Sequence, residues 1–212
     1  MLLNIITTIL LGSSLYFSYK DFLQDSSLIK FAYFRKKWDY LWAFLLVTIV
    51  FTLVGIFTKM DLPRFLTWSW TSFLSDGKQT GNVIAVPFSS GSIVLITLFW
   101  FIMCLAMPYL AKSEEEAFRS NITTIKSRIL NSIGFGLIHM VVGVPLYIAL
   151  VLCFVGFVFS IFYMRTYNKF TYISDEKANL EATLASTSIH SKYNFIILTI
   201  GALASVLLLT MS

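Results

Sequence analysis

The chain has 212 residues, of which 57% are hydrophobic and only 13% charged, with a formal net charge of +5 at neutral pH. A soluble domain carries roughly twice that charged fraction, so an ordinary water-soluble enzyme is excluded and an integral membrane chain is expected. The positive charge does not call for a nucleic acid partner, because the basic residues fall between apolar runs, where membrane topology accounts for them.

Residues 2–18 form a first apolar segment without a basic leader or a small-residue cleavage site, which reads as a retained helix rather than a signal peptide. A basic connection follows with Lys20, Lys30, Arg35, Lys36 and Lys37, then a second span over about 40–58, long enough for a bilayer of ~30 Å. Residues 59–91 are a long connection carrying Phe65, Trp68, Trp70 and Phe73, with Gly77, Gly81 and Gly91. Its segment DLPRFLTWSWTSFL suggests a short helix in the headgroup layer, where Trp prefers to sit, or alternatively a substrate gate.

A third span over about 92–111 contains Pro108 near its end and leads into a carboxylate-rich turn, KSEEEAFRS. The fourth segment covers about 122–142, and Gly143-Val144-Pro145 makes a tight reversal into a fifth span over about 146–164. A polar stretch, RTYNKFTYISDEK, separates it from a last helix over about 179–210. The fold expected is all-α: one polytopic transmembrane bundle of about six spans filling residues 1–212, with a short interfacial helix in the second loop. Lys112, Arg119, Lys126 and Arg128 lie in the third connection and Arg165, Lys169 and Lys177 in the fifth, so odd-numbered connections are expected at the cytoplasm and both termini outside. Cys104 and Cys153 sit inside apolar runs and read as small buried hydrophobes.

Helix geometry sorts the acidic turn. Glu115 and Arg119 form an i, i+4 pair with the acid N-terminal to the base, the favourable order. Glu114 projects about 100° away from Glu115, so it is free to face a site and can serve as a general base. His139 lies one turn beyond Phe135, on a face with Ser132, Gly136 and Gly143 that admits close approach of another helix. His190 and Asn194 are i, i+4 and continue a stripe with Thr183, Ser186 and Thr187, which must turn inward or line a watery cavity. Lys192 points off that stripe and is expected to snorkel or to line a cavity mouth. Each motif alone suits a structural role: a solvated charged turn, an interhelical donor, a polar seam. Together they provide a free carboxylate, two imidazoles and an amide, the components of a water-activating hydrolase.

These motifs, EExxxR at Glu114, Glu115 and Arg119, FxxxH at Phe135 and His139, and HxxxN at His190 and Asn194, resemble in order and spacing the CPBP family of CAAX proteases and bacteriocin-processing enzymes. The resemblance covers about residues 100–200. It implies an intramembrane peptidase in which Glu114 and His139 activate water, His190 and Asn194 stabilise the oxyanion, and Glu115, Arg119 and Phe135 shape the site. It also implies a metal-free mechanism with no cofactor, zinc being the less favoured alternative, since two histidines and a glutamate resemble a zinc set yet lack the HExxH spacing. The implied partners are the bilayer and a peptide, lipidated protein or membrane protein substrate, with no nucleic acid. The implied location is a bacterial or archaeal cell membrane, with the active site toward the cytoplasm. Few spans leave little wall around a prenyl group, so a peptide or membrane protein is the expected substrate. The competing expectations are a non-catalytic interaction or immunity protein on the same fold and, with less support because no paired half-repeats occur, a small transporter.

Overall fold

The computed structural model describes residues 2–71, 92–122 and 124–211. Its elements are α1 (Leu2–Gln24), α2 (Ser27–Phe34), α3 (Trp38–Lys59), α4 (Arg64–Thr67), α5 (Ile93–Arg119), α6 (Ile125–Ile138), a 3-10 turn (His139–Val142), α7 (Leu146–Phe170) and α8 (Asp175–Met211). Every regular element among the described residues is helical. A chain this apolar has to satisfy its backbone within each segment, which helices do.

Among the described residues four helices are long and apolar enough to cross a membrane: α3, α5, α7 and α8. The expected count of about six is not reproduced on that criterion. The fourth expected segment is a helix of 14 residues, about 21 Å long by helical rise, which the 3-10 turn extends. The first connection is also not a plain loop, since α2 packs there with Leu28 and Ala32 buried. The interfacial helix expected in the second loop is only the four residues of α4, and Phe73 and the glycines at 77, 81 and 91 lie outside the described residues.

Connections meet in two groups. At one end Arg35 pairs with Glu181 at 3.1 Å, and the Tyr109 hydroxyl donates to the Asp25 carbonyl at 2.9 Å. Asn179 ties the start of α8 to the turn after α5: its Oδ1 accepts from Asn121 N–H at 3.0 Å and also from the Tyr163 hydroxyl. Asn121 has φ of 61°, a conformation that asparagine tolerates better than most residues. At the other end Ser69 Oγ donates to the Gly143 carbonyl at 2.7 Å and Trp70 Nε1 to the Met140 carbonyl at 2.8 Å. Gly143, with φ of 85°, closes the 3-10 turn where a side chain would be strained.

Between these ends α6 lies against α7, and α8 packs against α3, α5 and α7. The core joins Val47 of α3, Phe135 of α6, Val155 and Phe159 of α7, and Ile189 of α8. The small-residue face expected on α6 is what allows contact: a Cβ on Gly136 would lie 2.4 Å from the Ala149 carbonyl oxygen and 2.5 Å from the Cys153 nitrogen. Gly136→Ala must therefore force two backbones apart, and a loss of about 1–3 kcal/mol is expected for such overpacking. Gly55 in α3 has nothing within 4 Å of its Cβ position. Gly55→Ala is expected to stabilise by roughly 0.5–1 kcal/mol through helix propensity. Unfolding midpoints in detergent check both, and equal effects would contradict the packing described.

Candidate functional site

The acidic motif is not a turn. Helix α5 runs through Pro108 and on to Arg119, so Glu114, Glu115 and Arg119 occupy its last turns. That continuation makes the i, i+4 geometry real, and Arg119 Nη1 donates to Glu115 Oε1 at 2.7 Å.

Glu115 is 0% exposed and Arg119 2%, so the pair must be satisfied by protein groups. Arg119 Nη2 donates to the Gly156 carbonyl at 3.3 Å, and its guanidinium lies over the Phe135 ring, 4.4 Å from the centroid. Glu115 has further partners on α8. Its Oε1 accepts from His190 Nδ1 at 2.8 Å, and its Oε2 accepts from the Ser186 hydroxyl.

His190 is held on all sides. Its ring stacks on Phe159, with centroids 4.5 Å apart and planes 30° apart, and Phe135 meets it edge-on at 5.6 Å. A carboxylate only accepts, so Nδ1 carries a proton and Nε2 is the nitrogen left for chemistry. Nε2 faces Glu114, whose Oε2 lies 3.6 Å away. That oxygen is buried and has no hydrogen-bond partner, although the Glu114 side chain as a whole is 36% exposed. A carboxylate oxygen and an imidazole nitrogen this close, though beyond hydrogen-bond range, can both contact one water lying against them.

The other site residues stand differently. His139 closes α6, and its Nδ1 donates to the Phe135 carbonyl at 2.7 Å, leaving Nε2 with a lone pair. The Phe135 ring meets both imidazoles edge-on, its centroid 5.0 Å from that of His139 and 5.6 Å from that of His190. Among the described residues no hydrogen bond or ion pair joins His139 to Glu114 or His190. Asn194 follows His190 by one turn and is half-buried. The structure thus brings together Glu114, Glu115, Arg119, Phe135 and His190, and links His139 to them through Phe135.

Two contributors escaped the sequence reading. Ser186 was visible only as part of the polar stripe, although its place one turn before His190 is the signal for a shared partner. Phe159 sits in a uniformly apolar run, and nothing local distinguishes it. Lys192 does not snorkel: it is 0% exposed, with Nζ 2.8 Å from Ser188 Oγ and 3.4 Å from Asp39 Oδ2. A small cavity of about 30 Å³ lined by Arg35, Asp39, Thr166 and Ser188 lies beside this second pair, away from Glu114. Among the described residues no three His, Cys, Asp or Glu side chains converge as a metal ion would need.

Comparison of the chain with family models, with curated proteins and with solved structures finds no match. The site is therefore read from its own geometry.

Replacing Arg119 by Met keeps the volume and removes the charge that balances Glu115. A buried carboxylate left without its cation costs about 3–5 kcal/mol. Arg119→Met is expected to lose that much in denaturant unfolding, and Glu115→Gln in the same chain is expected to recover part of it. A single variant as stable as wild type would contradict a buried ion pair.

Proposed function

We propose that the chain is an intramembrane peptidase of the CPBP type, hydrolysing a peptide or membrane protein substrate with water activated at Glu114. The observation that carries the reading is the buried, unpartnered Oε2 of Glu114 facing the Nε2 of an anchored His190 inside a bundle of apolar helices. Glu114 takes a proton from water, and the resulting hydroxide attacks the peptide carbonyl. The proton passes through the Glu114–His190 pair to the departing amine. The Asn194 amide, one turn along α8, supplies N–H donors for the oxyanion. His139, its Nδ1 held by the Phe135 carbonyl, is the second base in this reading. In this reading α1 and α6 with its 3-10 turn complete six crossings, and the end carrying Arg35, Lys36, Lys112 and Lys177 faces the cytoplasm.

A second reading has its own support. Glu115, Arg119 and His190 are fully enclosed and bonded to one another, which is also what a purely structural pin requires. A non-catalytic interaction or immunity protein would keep them for that purpose alone.

The test is peptide turnover by the purified protein in liposomes, with substrates drawn from peptides that accumulate in a Glu114→Gln strain. Glu114→Gln is expected to lower kcat/KM by about 10²–10⁴, and a chelator to leave it unchanged. Activity lost on chelation and restored by zinc would make the histidines metal ligands and overturn the glutamate mechanism. Full complementation of a deletion by Glu114→Gln would favour the interaction protein.

A further inference from the structure

The inference concerns how His190 is aimed, and it rests on the peptidase reading only for its functional meaning. Glu115 offers two oxygens to three donors. Oε1 takes Arg119 Nη1 and His190 Nδ1, while Oε2 takes the Ser186 hydroxyl. Arginine and a carboxylate favour a bidentate pair with two parallel N–H donors. Here the pair is single: Nη2 goes to the Gly156 carbonyl instead, and Nε is buried without a hydrogen-bond partner. Ser186, itself 0% exposed and held also by the Phe159 carbonyl at 3.3 Å, occupies the oxygen that a bidentate pair would use.

We infer that Ser186 is a positioning residue: by holding Glu115 Oε2 it turns Oε1 toward His190, fixes the Nδ1–H form of that ring, and so aims Nε2 at Glu114. Without the hydroxyl, Oε2 is a buried acceptor with no donor, a costly arrangement. The nearest relief is for the carboxylate to swing onto two guanidinium nitrogens at once, the unpartnered Nε being a buried donor beside it on the same group. That swing loosens the His190 Nδ1 bond and removes the reason for one tautomer. Neither EExxxR nor HxxxN contains Ser186, so the inference comes from this chain's own packing.

The chain has two histidines, which makes the test direct. Imidazole nitrogens are labelled with ¹⁵N in the full-length protein in nanodiscs, and His139→Gln assigns the two rings. At a pH where His190 is neutral, wild type is expected to show protonated Nδ1 and bare Nε2. Ser186→Ala is expected to show both tautomers of His190. Thr187→Ala is the control, since it removes a neighbouring buried hydroxyl that has no hydrogen-bond partner, and it is expected to match wild type. A Ser186→Ala spectrum that keeps the single Nδ1–H tautomer overturns the inference, as does a Thr187→Ala spectrum altered to the same extent. If Ser186→Ala scrambles the tautomer while Glu114→Gln leaves peptide turnover intact, the positioning role stands and the peptidase reading falls. If the tautomer stays fixed while Glu114→Gln abolishes turnover, the reverse holds.

Discussion

A carboxylate sealed inside a membrane bundle is the constraint on which the rest depends. Glu115 cannot reach water, so its charge has to be met by Arg119, His190 and Ser186 together. These donors come from two helices, and meeting them sets the register of α5 against α8. The same requirement draws in α7, whose Gly156 carbonyl takes the spare arginine donor and whose Phe159 lies flat on the imidazole. Removing one participant leaves a charge or a donor stranded, so the network should behave as a unit rather than as separable pairs.

Small side chains bring the aromatic wall close enough to matter. Gly136 seats α6 on α7, and a Cβ on Gly156 would meet the Phe135 ring at 2.7 Å. Phe135 can therefore touch Arg119, His139 and His190 at once. Packing and electrostatics are coupled here: the glycines set the distance at which the ring covers the guanidinium, and that cover keeps water from the ion pair.

The fold class was legible because composition and apolar run length leave few alternatives. The pairing of Glu115 with Arg119 was legible because helical spacing alone specifies it. The limits are equally physical. Apolar runs do not show where a helix stops, so α5 runs past its apolar stretch through the acidic motif, and α6 ends sooner than expected. Spacing within a helix also says nothing about which helix faces which. His190 meets Glu115 across 75 residues of sequence, with Glu114 beside it, and Lys192 finds Asp39 across 153. No local pattern marks such partners. The snorkelling expected of Lys192 failed for that reason: an acid on α3 was waiting for it. His139 carried equal weight with His190 in the sequence, yet His190 meets two carboxylates and His139 a backbone carbonyl.

Everything around Glu115 answers to its being an ionised carboxylate within the bundle. Infrared difference spectroscopy of the reconstituted protein, wild type against Glu115→Gln at neutral pH, measures it directly. The substitution is expected to remove carboxylate stretching bands and to leave the carboxylic acid region unchanged. Loss of a carboxylic acid C=O band in Glu115→Gln would show Glu115 to be protonated, and an ionic anchor for Arg119 and His190 would then be wrong.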